Sequence, residues 1–150
     1  MSSRGFEFAY SFDGSTPLIQ DFILSTAAAH KIGDLMVLET DGDLTQAAAN
    51  ATEVTGVMQE TVAAAAITAG TTKAKVAILT RNQVWRCSAD ASTMSAVVGY
   101  TKAVDIVDCN TIDADTTTGG AMAVVDKSTL DDDGKVMAYV VFLDTTFGNT

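Results

Sequence analysis

Val136-Met137-Ala138-Tyr139-Val140-Val141-Phe142-Leu143 is an unbroken apolar run of eight residues, rich in β-branched and aromatic side chains. Drawn out as a strand it presents apolar atoms on both faces, so it belongs at the centre of a sheet or under cover on both sides. It is far short of the roughly 20 residues that a helix needs to cross a bilayer, and no membrane-spanning segment is expected. Just ahead of it stands Asp133-Gly134, a dipeptide that supplies the positive φ of a hairpin turn. Residues 121–126, before that turn, form another stretch of strand character.

The same pattern of short runs and turn signals recurs upstream, at 33–40, 53–60, 73–80, 83–88 and 97–108. Asp41-Gly42 is a second hairpin dipeptide, and Lys73 and Lys75 alternate with Ala74, Val76 and Ile78 as on a half-exposed strand. Valine, isoleucine and threonine total 43 residues against eight leucines, a balance that favours strands. The chain is therefore read as mainly β, a small single-domain β-barrel or β-sandwich with an extended N-terminal arm: the arm over 1–15 and the β-rich domain over 16–150. Two segments carry helix signals. Alanine, the best helix former, clusters at 47–49 and 63–66, though no helical stripe surrounds either run. Thr16-Pro17 fits a helix start, with Leu18, Ile19, Phe22 and Ile23 on one side, so a short helix there is the alternative.

The 150 residues suffice for one well-cored domain. Of the 71 apolar residues, 23 are alanine and only ten are aromatic, which argues against a large aromatic-lined cofactor pocket. A net charge of −10, shared evenly between the two halves, opposes attraction to a phosphate backbone, so neither nucleic acid nor an anionic membrane is expected as a partner. Met1-Ser2-Ser3-Arg4-Gly5 opens no apolar export signal. Cys87 and Cys109, in no C-x-x-C, read as free thiols of a reducing cytosol.

Four of the ten aromatic residues, Phe6, Phe8, Tyr10 and Phe12, alternate along one short segment. An extended chain would set all four on one face, and that face needs a surface to bury it. Either the segment is an edge strand that covers its own core, or it is an arm that docks on a neighbour, whose removal would leave the domain folded. In the second case the four rings are the partner-binding residues.

Catalytic carriers are missing from the pattern. His30 is the only histidine, sits among alanines, and reads as a surface or loop residue. Ser88 and Ser95 lie in no G-x-S-x-G elbow, and neither cysteine has a protease signature. Asp131-Asp132-Asp133-Gly134 lacks the spacing of a calcium loop, while Asp41-Gly42-Asp43 and Asp113-Ala114-Asp115 are too short of ligands; all are read as solvated acidic turns, and 113–120 as a surface connection. No phosphate-cradling glycine loop occurs. The expectation is a protein with no catalytic residue, no metal and no cofactor. Gly33-Asp34-Leu35-Met36-Val37-Leu38-Glu39-Thr40-Asp41 resembles the hairpin approach of lipoyl carrier domains, but Gly42 stands where the acylated lysine would be.

A longer resemblance begins at the same place. Lys31-Ile32-Gly33-Asp34-Leu35-Met36-Val37-Leu38, Val54-Thr55-Gly56-Val57-Met58, Val97-Val98-Gly99-Tyr100, Ile106-Val107-Asp108 and Ala123-Val124-Val125-Asp126, with the final apolar strand, resemble the capsid decoration (cement) proteins of tailed bacteriophages. The resemblance spans about residues 16–143 and rests on the order of these β segments. It implies a structural virion protein on the outer face of an icosahedral capsid, made in the host cytoplasm. Such a protein binds the major capsid protein, commonly as a homotrimer, and clamps neighbouring capsid subunits together. The N-terminal aromatic segment has no counterpart in that pattern. The rival expectation is another virion surface module, a head fibre base or adhesin binding a receptor or glycan, to which only Trp85 and Phe147 could contribute loop aromatics.

Overall fold

A computed structural model describes residues 5–49, 51, 53–94, 104–115 and 120–147. Along them run β1 (Glu7–Ser11), β2 (Ile19–Ile23), β3 (Leu35–Leu38), β4 (Leu44–Gln46), β5 (Gly56–Met58), β6 (Lys73–Ile78), β7 (Gln83–Ser88), β8 (Ile106–Asp108), β9 (Thr111–Ile112), β10 (Met122–Leu130) and β11 (Val136–Phe142). A four-stranded sheet has the order β1-β7-β11-β10, a five-stranded sheet the order β2-β6-β5-β3-β4, and β8-β9 form a hairpin. Every ladder is antiparallel.

Side-chain alternation decides how the sheets meet. Trp85 and Cys87 of β7 and Ala138, Val140 and Phe142 of β11 point to one face of the four-stranded sheet and pack in one core with Leu35, Val57 and Ala77 of the other sheet. This is a β-sandwich. The second face of the five-stranded sheet is apolar too: Met36, Met58 and Val76 pack with Leu24, Leu44 and Ile67. On the outer side of the four-stranded sheet, Val84, Val141 and Ala123 make a third, smaller cluster. The run that opened the reading is central as expected, with β11 lying between β7 and β10 and both Val140 and Val141 buried.

Three expectations are corrected. The fold is not a barrel: the five-stranded sheet curls until Leu24 meets Leu44, but a single parallel bridge joins its edges there, and the sheet stays open. Nor do the described residues of the expected N-terminal arm, 5–15, stand apart from the domain. β1 pairs with β7, Phe6 N donates to Gly33 O at 2.8 Å, and Phe6 is only 2% exposed, with its ring centroid 5.4 Å from that of Phe142. Residues 17–23 form no helix. β2 is a strand because an antiparallel ladder with β6 satisfies its backbone, and the helix-start signal at Thr16-Pro17 yields to that tertiary pairing.

The remaining strand readings differ mainly at their ends, with β7 spanning 83–88 as read from sequence. Gly42 and Gly134 take φ of 90° and 76°, at the turns of the β3–β4 and β10–β11 hairpins. Of the alanine runs, Ala64–Ala66 forms one exposed turn of 3-10 helix, and the 47–49 run ends in a turn in which Ala51 N donates to Ala48 O at 3.2 Å. Val97-Val98-Gly99-Tyr100, Ser95, residues 1–4 of the expected arm and 116–119 of the expected surface loop lie outside the described residues. Ala114 is buried, so the described part of that loop is not wholly a surface connection.

Candidate docking site

A β-bulge divides the aromatic quartet. Phe8 stands opposite Trp85 and Tyr10 opposite Val84, so Ala9 is the extra residue in the ladder. Residues directly opposite share a face, and Trp85 faces the main core while Val84 faces outward. Phe6 and Phe8 therefore serve the core. Phe8 meets Trp85 edge to face, with centroids 5.5 Å apart. Tyr10 and Phe12 emerge on the other side, where they form a T-shaped pair with centroids 6.1 Å apart and remain 45% and 53% exposed. The single aromatic face expected from strict alternation is split because one inserted residue reverses the phase. For Phe6 and Phe8 the edge-strand reading describes the fold, while Tyr10 and Phe12 stay about half exposed.

The loop after β1 is held by one carboxylate. Asp13 Oδ1 accepts from Ser15 Oγ at 2.6 Å and from Ser15 N and Ser11 Oγ at 3.0 Å. The Ser15 bonds, with that from Ser11, lower the Asp13 pKa to about 2. Beyond this turn opens a groove of about 560 Å³. Leu18, Phe22, Ile78 and Phe147 line it together with uncharged polar side chains such as Gln20 and Asn82, and no charged side chain of the described residues takes part. Leu18 is 66% exposed, and Phe147 lies against Phe22 with centroids 6.3 Å apart. On a chain of net charge −10, an uncharged groove beside two exposed rings is the surface best suited to bury apolar atoms of another protein.

No family model, curated protein or solved structure matches the chain. The chemistry is therefore read from the side chains themselves. A second cavity, of about 390 Å³, lies between Ser88, Asp90, Asp108, Asn110, Asp131 and Lys135. Ser88 Oγ donates to Asp131 Oδ2 at 2.5 Å, and the other Asp131 oxygen accepts from the N–H groups of Asp133 and Lys135 at 2.9 Å. Asp90 and Asp108 accept from the backbone of Ala114 and Asn110. These carboxylates thus brace turns. Among the described residues no group of three histidine, cysteine, aspartate or glutamate side chains is placed to hold a metal ion.

The nucleophile candidates lie inside the fold, two of them buried and Cys109 partly so. His30, expected at the surface, is fully buried: its backbone pairs with Val62, and Nδ1 lies 2.5 Å from Ala28 O. A carbonyl only accepts, so Nδ1 is the donor in that contact, while Nε2 is buried without a hydrogen-bond partner. Both cysteines are free. Burial, aided by the charges of Asp34 and Asp108, pushes the Cys109 thiol up to about 12, which leaves it protonated and a poor nucleophile. Cys87 is buried and donates to Asn110 O at 3.3 Å. Buried Asp34 ties this region to β3 and β4, accepting from Lys31 N at 3.0 Å and from Gln46 Nε2 at 2.8 Å.

Sequence reasoning singled out Tyr10 and Phe12 but missed Leu18 and Phe147 as parts of the same corner. The available signal was weak: four scattered apolar residues on either side of Asp21, which a helical spacing explained equally well.

Proposed function

We propose that the chain is a structural virion protein that binds the outer surface of an icosahedral phage capsid and stabilises contacts between neighbouring major capsid proteins, self-associating as a homotrimer. One observation carries this reading: the exposed Tyr10–Phe12 pair is joined, through Phe12 N on Asn82 O, to the wall of an uncharged groove on a chain of net charge −10. That surface supports docking on a protein, and the net charge disfavours the packaged DNA. The order of β segments shared with capsid decoration proteins supports the choice of a capsid as the docking partner. The role is non-catalytic, in keeping with protonated Cys109 and with Ser88 bonded to a carboxylate rather than to a base such as histidine.

The glycan-binding alternative draws less support. Trp85 is 1% exposed and cannot serve as a stacking platform, and among the described residues no aromatic ring lines the polar cavity near Ser88. The test is cosedimentation with expanded heads stripped of decoration. Intact protein is expected to saturate the heads, and the double variant Tyr10→Ala, Phe12→Ala to bind at least tenfold more weakly. Unchanged saturation by that variant would remove the corner from the interface, and failure of the parent to bind any head would overturn the capsid reading.

A further inference from the structure

The two larger sheets have two edges each, and three of these four are blunted. The β1 ladder is bulged and the β10 ladder shifts register twice, features that twist an edge away from a flat template. β4 is only three residues long. β2 has neither defence: its five residues run in unbroken register with β6, and Ile19, Gln20 and Asp21 are exposed.

The ladder shows which backbone groups point away from it. Ile78 N donates to Leu18 O and Leu24 N to Thr72 O, both at 2.9 Å, so the even-numbered positions of this segment bond β6. Antiparallel alternation then turns the N–H and C=O of Ile19, Asp21 and Ile23 outward. Ser25 continues that phase, and its N–H reaches across to Leu44 O at 2.9 Å. Among the described residues nothing bonds the outward N–H groups of Ile19 and Asp21, whereas just past Ile23 the Leu24–Leu44 bridge sets β4 against the edge and closes it. The side chains of Ile19, Asp21 and Ile23 share a face, apolar on either side of Asp21, whose Oδ1 is 3.4 Å from Lys75 Nζ in an exposed pair. The intervening side chains, Gln20 and Phe22, line the uncharged groove.

We propose that β2 is an acceptor edge, onto which an extended segment of another protein adds as a further strand. The added strand carries lysine or arginine beside Asp21, an apolar residue beside Ile19, and uncharged residues over the groove, and runs on past Leu18, away from the end that β4 closes. A second copy of the chain is the wrong occupant. Two β2 strands paired about a two-fold axis at Asp21 would set like carboxylates opposite each other, between chains each of charge −10. The edge is open to any protein that supplies such a strand, so the inference does not depend on the capsid reading.

The test uses the full chain, isotopically labelled, and a capped seven-residue peptide of threonines with lysine second and valine fourth, which in antiparallel pairing lie opposite Asp21 and Ile19. Adding peptide is expected to shift the amide signals of Ile19 and Asp21 saturably and to slow their hydrogen exchange. A peptide with glutamate in place of lysine should bind about fivefold more weakly, and Asp21→Lys should reverse the preference. Asp21→Pro deletes an outward N–H without removing a bond to β6, and should abolish binding while the chain stays folded. Should that variant misfold, the charge reversal still decides. Unmoved amides at millimolar peptide, or equal affinity for the two peptides, would overturn the proposal. So would a concentration-dependent dimer that protects the same amides without peptide, since the occupant would then be a second copy.

Discussion

Gly5 and Gly33 lie back to back: a Cβ built on Gly5 would come within 2.9 Å of both Gly33 Cα and Gly33 O. Gly5 also has φ of +72°, a conformation that a Cβ strains. The contact explains why the N-terminal segment belongs to the sandwich, because it seats Phe6 where its N–H meets Gly33 O. Gly5→Ala is expected to cost about 2–4 kcal/mol, strain and overpacking together. Gly14, at φ of +80° with nothing within 4 Å, is the control: Gly14→Ala should cost about 1 kcal/mol. Equal urea midpoints for the two variants would refute the close approach.

The division of the aromatic quartet gives a second stability series. Phe6→Ala empties a buried position against Phe142 and should lower stability by about 3–5 kcal/mol. Tyr10→Ala and Phe12→Ala remove half-exposed rings, each at a cost of about 1 kcal/mol or less. Removing residues 1–13 takes away β1 and Phe6 together, and cooperative unfolding should be lost or strongly weakened. Chemical denaturation of all four proteins checks the order, and a shortened chain with an unchanged midpoint would contradict it.

What could be read from sequence tracks how local the deciding interaction is. β11 and β7 were legible because their own residues settle their burial, and the hairpin turns because Asp41-Gly42 and Asp133-Gly134 supply the required φ. The bulge at Ala9 was not legible: alternation along Phe6, Phe8, Tyr10 and Phe12 is perfect, and only the register of β7 reveals the extra residue. β2 was ambiguous for a similar reason, since Thr16-Pro17 signals a helix locally while β6 supplies the ladder from more than fifty residues away. Half of the docking corner was thus visible as exposed aromatics, and the groove beside it depended on where β2 and the segment ending at Phe147 come together.

Asp13 links that corner to pH. Its pKa of about 2, against the usual 3.8, follows first from the two Ser15 bonds and then from Ser11. A depressed carboxylate pKa means that the turn's bonds are complete above pH 4 and are lost as the pH falls through about 2. A carboxyl-carbon NMR titration of Asp13 is expected to show a midpoint near 2. Ser15→Ala should move that midpoint toward 3.8 and broaden the signals of Phe12 and Gly14. A parent midpoint already at 3.8 would show that the turn is not held this way.

Cys109 responds at the opposite end of the scale. Its thiol, pushed up to about 12 from the usual 9.0, owes the shift first to burial and then to the carboxylates of Asp34 and Asp108. Between those two values the folded chain keeps a proton that the unfolded chain releases, so this contribution to stability is present below pH 9 and lost as the pH rises toward 12. Other groups titrate there as well, so the difference between the parent and Cys109→Ser isolates the effect: the parent should lose stability relative to the variant across that window. Alkylation by iodoacetamide, resolved at Cys109 by mass spectrometry, should be slow at pH 8 and climb steeply only above pH 10. Asp34→Asn removes one of the two charges that raise the thiol, and should bring the onset of alkylation to lower pH while urea denaturation shows the chain still folded. Rapid alkylation of the folded parent at pH 8 would mean that Cys109 is a reactive thiolate, and would reopen the question of chemistry at this site.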